Sequence, residues 1–168
     1  SGNVYVADTK NCRIQKCNSS GVFQLKTGGI GSGNGQFNEP QAVAIDSTGN
    51  IYVSDTYNHR IQKLNSSGVY QSKFGALGSG NSQFNLPRNI VIDSSDNIYV
   101  ADYSNNRIQK FNSSGTYQYQ LGGFSYLTGI AVDSSGNVYA ADRFLHHIRK
   151  YNSSGASLYT FGVAGSGD

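Results

Sequence analysis

The chain of 168 residues has no methionine, no tryptophan, two prolines and two cysteines, and only 14% of it is charged. No apolar run approaches the roughly 18 residues a membrane-spanning helix needs. No signal peptide is visible, and the chain opens inside a repeat, which leaves room for a leader upstream. Net charge is +3, from 13 basic and 10 acidic residues. That is too mild to imply nucleic acid, because solvated strand surface accounts for such a balance. Cys12 and Cys17 fall on one predicted strand, about 16 Å apart, beyond the roughly 7 Å reach of a disulfide. Two such cysteines say little about redox compartment.

What is present is 21 Gly, 12 Tyr and 8 Phe, with abundant Ser and Asn. Aromatic and β-branched runs broken by Gly, Ser and Asn read as short strands joined by tight turns, not as helices. One stretch recurs four times. It begins at Gly2-Asn3-Val4-Tyr5-Val6-Ala7-Asp8, Gly49-Asn50-Ile51-Tyr52-Val53-Ser54-Asp55, Asp96-Asn97-Ile98-Tyr99-Val100-Ala101-Asp102 and Gly136-Asn137-Val138-Tyr139-Ala140-Ala141-Asp142, spaced 47, 47 and then 40 residues apart. A period of this size marks a solenoid, a propeller or an array.

Four strands are read per repeat. In the second repeat they are Ala42–Ile45, Ile51–Ser54, Arg60–Leu64 and Val69–Phe74. Asp, Asn, Ser and Gly fill the turns because their side chains bond local backbone or tolerate positive φ. Ile61 and Leu64 are three apart, so both faces of that strand need apolar cover, which suits a blade packed between neighbours. First strands occur three times (Ala42–Ile45, Asn89–Ile92, Gly129–Val132) and the other strands four times, predicting fifteen strands and one incomplete blade. The blade units run approximately over residues 1–28, 37–75, 84–122 and 124–162, in one domain spanning 1–168. The connections run over Gly28–Pro40 and Gly75–Pro87, and their Gly-rich parts, Gly31–Gly35 and Gly78–Asn81, read as flexible linkers. The last one, Gly122–Gly129, is seven residues shorter and has Leu127 in place of proline.

Phe-x-x-Pro, an apolar strand ending in Asp, Gly-Asn-Ile-Tyr-Val-x-Asp and Asn-x-Arg-Ile-Gln-Lys together resemble the NHL repeat, most completely over Phe37–Leu64 and Phe84–Phe111. The resemblance implies an all-β propeller of four-stranded antiparallel blades around a channel, about four blades here with the first lacking its innermost strand. Propellers of this family close with about six blades. The chain is thus expected to be a piece of a longer propeller or a subunit completed by another copy, in preference to a closed four-bladed ring, because an open end leaves an apolar blade face in water.

Asp8, Asp55, Asp102 and Asp142 recur six residues before Ile14, Ile61, Ile108 and Ile148, and Arg13, Arg60 and Arg107 precede three of those isoleucines. An Asp–Arg bond fixing the turn between second and third strands explains them, and Asp46, Asp93 and Asp133 read as turn residues. Only Glu39, Asp96 and Asp168 remain, from three unrelated places, which argues against paired-carboxylate hydrolysis. No enzymatic activity, catalytic residue, metal site or cofactor is expected. The Gly-rich connections lack the Lys-Ser/Thr and the following helix of a phosphate loop.

The rim that carries the connections and the second-to-third-strand turns is the expected binding surface, since loops on a rigid scaffold carry binding. Its candidates are Tyr57, His59, Arg88, Tyr103, Asn106, Arg143, Phe144 and His146. His59 and His146 occupy equivalent turns, and some NHL-like propellers are lyases with a His-bound metal near the channel. The pair lies two blades apart on the ring, which holds the two imidazoles far from each other. Other NHL propellers bind RNA on a basic rim, for which Lys10, Arg88 and Arg143 are few and scattered cations. Asn18, Asn65, Asn112 and Asn152 each begin Asn-Ser-Ser-Gly, a glycan acceptor pattern at a hairpin turn. Together these features suggest a scaffold or protein/ligand interaction module, glycosylated where the host allows, extracellular or on a cell surface. The expected partners are a protein or further copies of the chain, completing a ring or filament, with no membrane span. A propeller lyase with a channel metal and an RNA-binding module are the alternatives.

Overall fold

The computed structural model describes residues 2–165; Asp168, one of the three unassigned acids, lies outside them. Among the described residues fifteen strands form four antiparallel sheets in strict chain order. Blade 1 has three strands, β1 (Val4–Asp8), β2 (Arg13–Cys17) and β3 (Phe23–Gly28). Blade 2 comprises β4 (Pro40–Ile45), β5 (Ile51–Asp55), β6 (Arg60–Leu64) and β7 (Tyr70–Phe74). Blade 3 comprises β8 (Pro87–Ile92), β9 (Ile98–Asp102), β10 (Arg107–Phe111) and β11 (Tyr117–Leu121). Blade 4 comprises β12 (Leu127–Val132), β13 (Val138–Asp142), β14 (His147–Tyr151) and β15 (Ser157–Phe161).

Strands alternate faces with period two, and blades 2 and 3 bury both faces against their neighbours, while blades 1 and 4 bury one. Ile51, Val53 and Leu64 pack towards blade 1 with Ile14 and Phe37. On the other side Tyr52 and Ile61 pack with Phe84, Ile90, Ile98, Val100 and Phe111. Tyr99, Ala101 and Ile108 continue the series into Phe124, Leu127, Ile130, Val138, Ala140 and Tyr151. Inner strands β4, β8 and β12 pack in sequence, and β1 stands against β4. Among the described residues no extensive contact joins the first blade to the last. The ring is open there.

The inner strands start two residues earlier than the apolar pattern suggests. Pro40, Pro87 and Leu127 pair with Asp55, Asp102 and Asp142, with an irregularity in register just after. Proline is tolerated because it begins an edge strand. Cys12 is not on β2 but in the turn before it, in the left-handed region at φ 50°, and both cysteines are free.

The connections are not flexible linkers. Phe37 and Phe84 are fully buried between blades, and Ile30 bridges Phe37 as Leu77 bridges Phe84. The Arg60 guanidinium donates to the carbonyls of Gly33 and Gln36 (2.8 and 3.2 Å), Asn58 donates to Gly31 (2.8 Å), and Gln62 donates to Gln36 (2.6 Å). The Gly33 and Gly35 N–H groups donate to Gln36 Oε1 and Gln62 Oε1. Glycine is there to let the backbone turn and approach; at Gly75 (φ +97°) a Cβ would collide with the Phe84 ring.

Candidate binding site on the channel rim

The second-to-third-strand turn is a repeated device. In blades 1 to 3 it is a single 3-10 turn, Thr9–Asn11, Thr56–Asn58 or Tyr103–Asn105. The residue after the three-residue turn, Cys12, His59, Asn106 and His146 in the four blades, has φ between 50 and 54°. That is the left-handed region, where Asn and His are enriched among non-glycine residues. Each preceding Asp gathers the turn. Asp55 accepts from the Asn38 N–H (2.7 Å), Asn58 Nδ2 (3.0 Å), Arg60 Nε (2.7 Å) and Gln62 Nε2 (2.9 Å). Asp102 repeats the set with Asn85, Asn105, Arg107 and Gln109. On the partly buried Asp8, bonds from Arg13 and Asn11 hold the carboxyl below its ordinary range.

Glu39 and Asp96 also have structural partners. Glu39 accepts from Lys10 Nζ at 2.8 Å. Asp96 reaches across to blade 2, accepting from Ser47 N and Oγ at 2.8 and 2.6 Å. His59 Nδ1 accepts the Leu86 N–H at 3.2 Å, so this imidazole ties its turn to the next blade's connection. Among the described residues no three His, Cys, Asp or Glu side chains stand together as metal ligands.

Blade 4 departs from the device. Leu145 stands where the other blades have Asn, and His147 where they have Arg. Burial alone would raise the Asp142 carboxyl, but the Ser125, Leu145, Tyr126 and Phe144 N–H groups outweigh it and hold the carboxyl below its ordinary value. Their bonds from Ser125, Tyr126 and Leu145 are 2.7, 3.1 and 3.2 Å. His147 instead accepts from Arg149 Nε at 3.0 Å.

The junction of blades 3 and 4 is where the repeat changes most. In blades 1 and 2 a threonine at the head of the turn tethers the next blade: Thr9 Oγ1 donates to the Pro40 carbonyl (2.8 Å) and Thr56 Oγ1 to that of Pro87 (2.7 Å). Tyr103 takes this place in blade 3 and Arg143 in blade 4. The Arg88 guanidinium on β8 stacks over the Tyr103 ring at 3.5 Å. Tyr103 meets Tyr126 edge-on, centroids 5.2 Å apart, and the Arg143 guanidinium lies 5.8 Å from the Tyr126 ring. The Arg143 N–H donates to the Tyr126 carbonyl at 3.0 Å, fixing the two elements together. Tyr126, Arg143 and the 71% exposed Phe144 line an open cavity of about 290 Å³. Beside it Gln41, Ala42, Arg88, Asn89 and Thr128 line another of about 220 Å³. Tyr103 beside it, with the Arg88 and Arg143 guanidiniums, holds the Tyr126 hydroxyl below the usual phenol range.

Of the rim residues named from sequence, Arg88, Tyr103, Arg143 and Phe144 therefore come together. Tyr57, His59, Asn106 and His146 lie on the same rim, the last three as left-handed turn residues. Tyr126 was missed. Its signal was positional: it fills the slot of Glu39 and Leu86, directly before the inner strand, in the one shortened connection. The four glycan candidates share one geometry, the side-chain oxygen of Asn18, Asn65, Asn112 or Asn152 accepting N–H groups two and four residues on.

Open ring, four-stranded blades and connector phenylalanines define an NHL-type β-propeller. Two segments of the chain, residues 37–64 and 84–111, match the NHL repeat. No curated protein matches its sequence. Among solved structures, it is similar to a streptogramin B lyase (17% identity, TM-score 0.73, covering 97% of this chain and 52% of that one). A catalytically inactive virginiamycin B lyase from Staphylococcus aureus with quinupristin is similar too (14%, 0.76, 98% and 53%). So is a protein of unknown function from Bacteroides caccae (16%, 0.67, 98% and 59%). The chain spans about half the length of these structures. At such identities the likeness shows the fold alone. It does correct the expectation that the chain is not an enzyme: the same fold serves lyases, so neither the propeller nor the lack of spare carboxylates excludes catalysis.

Proposed function

We propose that this chain is an interaction module that assembles head to tail with a second copy of itself, in an extracellular or cell-surface setting. The observation that carries the reading is the state of its two outer blade faces. On blade 1, Val6 is 47% exposed, whereas its counterpart Val53 is fully buried; Val4 and Phe23 are exposed beside it. On blade 4, Phe161 is 41% exposed against 4% for its counterpart Leu121, with Ile148 and Tyr159 alongside. These two faces are the halves of the interface that recurs inside the chain between consecutive blades. A heterologous contact of this kind closes a ring or propagates a filament. The glycan acceptors fit the same setting: among the described residues the Nδ2 groups of Asn18, Asn65, Asn112 and Asn152 donate no hydrogen bond.

Complementation by damaged copies tests the proposal. Val6→Asp spoils one face and Phe161→Asp the other, so each variant alone sediments as a monomer. Mixed, an intact face of each remains, and the pair forms a one-to-one complex. Variants that still self-associate like the wild type, or a mixture that stays monomeric, overturn the reading.

A further inference from the structure

We infer that the junction of blades 3 and 4 is a binding site for a small planar anion, an aromatic ring bearing a phosphate or carboxylate. The inference stands independently of assembly. Several departures from the repeat on this rim fall at one place: the connection shortens by seven residues, the tethering threonine becomes Tyr103 and then Arg143, Tyr126 replaces the residue before the inner strand, and Phe144 is presented to solvent. Changes made only for packing would close the surface. These open a cavity of about 290 Å³, near the lower end of the range for small-ligand pockets.

The chemistry of the lining selects the ligand. Among the described residues neither Arg88 nor Arg143 forms a salt bridge, while Arg13, Arg60 and Arg107 all do. Stacking on Tyr103 at 3.5 Å uses the face of the Arg88 guanidinium and leaves its in-plane N–H groups for an oxyanion, the fork that suits carboxylate or phosphate. Arg143 supplies a second fork across the Tyr126 ring. Phe144 and Tyr126 offer apolar ring surface to the rest of the ligand. A neutral aromatic leaves the cations unanswered, and a bare anion leaves Phe144 exposed.

The test is calorimetric titration of the whole chain with phenyl phosphate, inorganic phosphate, phenol, benzoate and a single-stranded oligonucleotide. Phenyl phosphate or benzoate should bind saturably, with Kd of about 1 mM or below, and at least about tenfold tighter than phosphate or phenol. Arg88→Gln with Arg143→Gln should weaken that binding by about tenfold or more. Phe144→Ala, whose side chain is exposed and carries no packing, should weaken it severalfold with the melting temperature unchanged. Whichever of phenyl phosphate and benzoate binds tighter tells the anion class. No saturable binding to about 10 mM, unchanged affinity in the double variant, or phosphate alone matching phenyl phosphate overturns the proposal. So does an oligonucleotide binding more than about a hundredfold tighter, which would make the rim a nucleic-acid surface. Assembly is read by sedimentation, so failure of one proposal is distinct from failure of the other.

Discussion

Phe84→Ala tests whether the connections lock the blades together. Phe84 is fully buried, with ring centroids 6.2 Å from Phe74 and 5.7 Å from Phe111. Truncating a buried phenylalanine costs about 3–5 kcal/mol from lost transfer energy and the cavity left behind. Two aromatic pairings, each worth about 0.5–1.5 kcal/mol beyond area, place this site at the upper end, about 4–5 kcal/mol. For a domain of this size that lowers the melting temperature by about 8–20 °C. Phe37, equally buried, should behave alike. Leu77, which bridges Phe84 through backbone but exposes its own side chain, should cost less than about 0.5 kcal/mol on truncation to Ala. With no tryptophan present, urea unfolding is followed by tyrosine fluorescence and far-UV circular dichroism. A loss below about 1 kcal/mol for Phe84→Ala would refute the reasoning and return the connections to loose linkers.

Three further outcomes follow from comparing blades. Ser72 occupies the place of Tyr119, whose hydroxyl donates to the Ser153 carbonyl (3.0 Å) and whose ring meets Lys110. A cavity of about 90 Å³ lined by Tyr52, Lys63 and Ser72 remains in blade 2, so Ser72→Tyr should stabilise by about 0.5–1.5 kcal/mol in urea unfolding. Leu145→Asn should restore the missing side-chain donor to Asp142 and stabilise by about 0.5–1.5 kcal/mol; destabilisation would show that the blade 4 turn is built differently. Acid unfolding should track the turn carboxylates. The Asn137 side chain and N–H hold Asp133 down to about 2, and Asp46 and Asp93 also lie below their ordinary value because Asn50 and Asn97 donate to them against the effect of burial. Depressed values mean stability that is full above the ordinary 3.8 and lost as pH falls towards about 2. A melting temperature flat between pH 5 and pH 2, roughly, would contradict this.

Strand number, order and the incomplete first blade were legible because the repeat states the inner strand three times and each other strand four times. Ile61 and Leu64 announced two buried faces, and they pack towards opposite neighbours. Strand starts were less legible, since Pro40 and Pro87 read as breakers yet pair at the edge. Cys12 was misplaced because a left-handed turn residue is invisible when Cys fills it in place of Asn. The same conformation accounts for His59 and His146, the imidazoles weighed for the alternative of a channel metal. Gly-rich composition suggested looseness where Arg60 and Gln62 in fact bind the connection down. The rim cluster was half legible: Arg88, Tyr103, Arg143 and Phe144 were among the residues placed on the rim from sequence, but only the fold brings Tyr126 between them.

The most direct measurement is the solution mass of the chain by light scattering across a wide concentration range. Head-to-tail assembly predicts twice the 18.0 kDa chain mass as a discrete species that falls apart on dilution. A stable monomer of 18.0 kDa at every concentration, with its apolar outer blades in water, would contradict it.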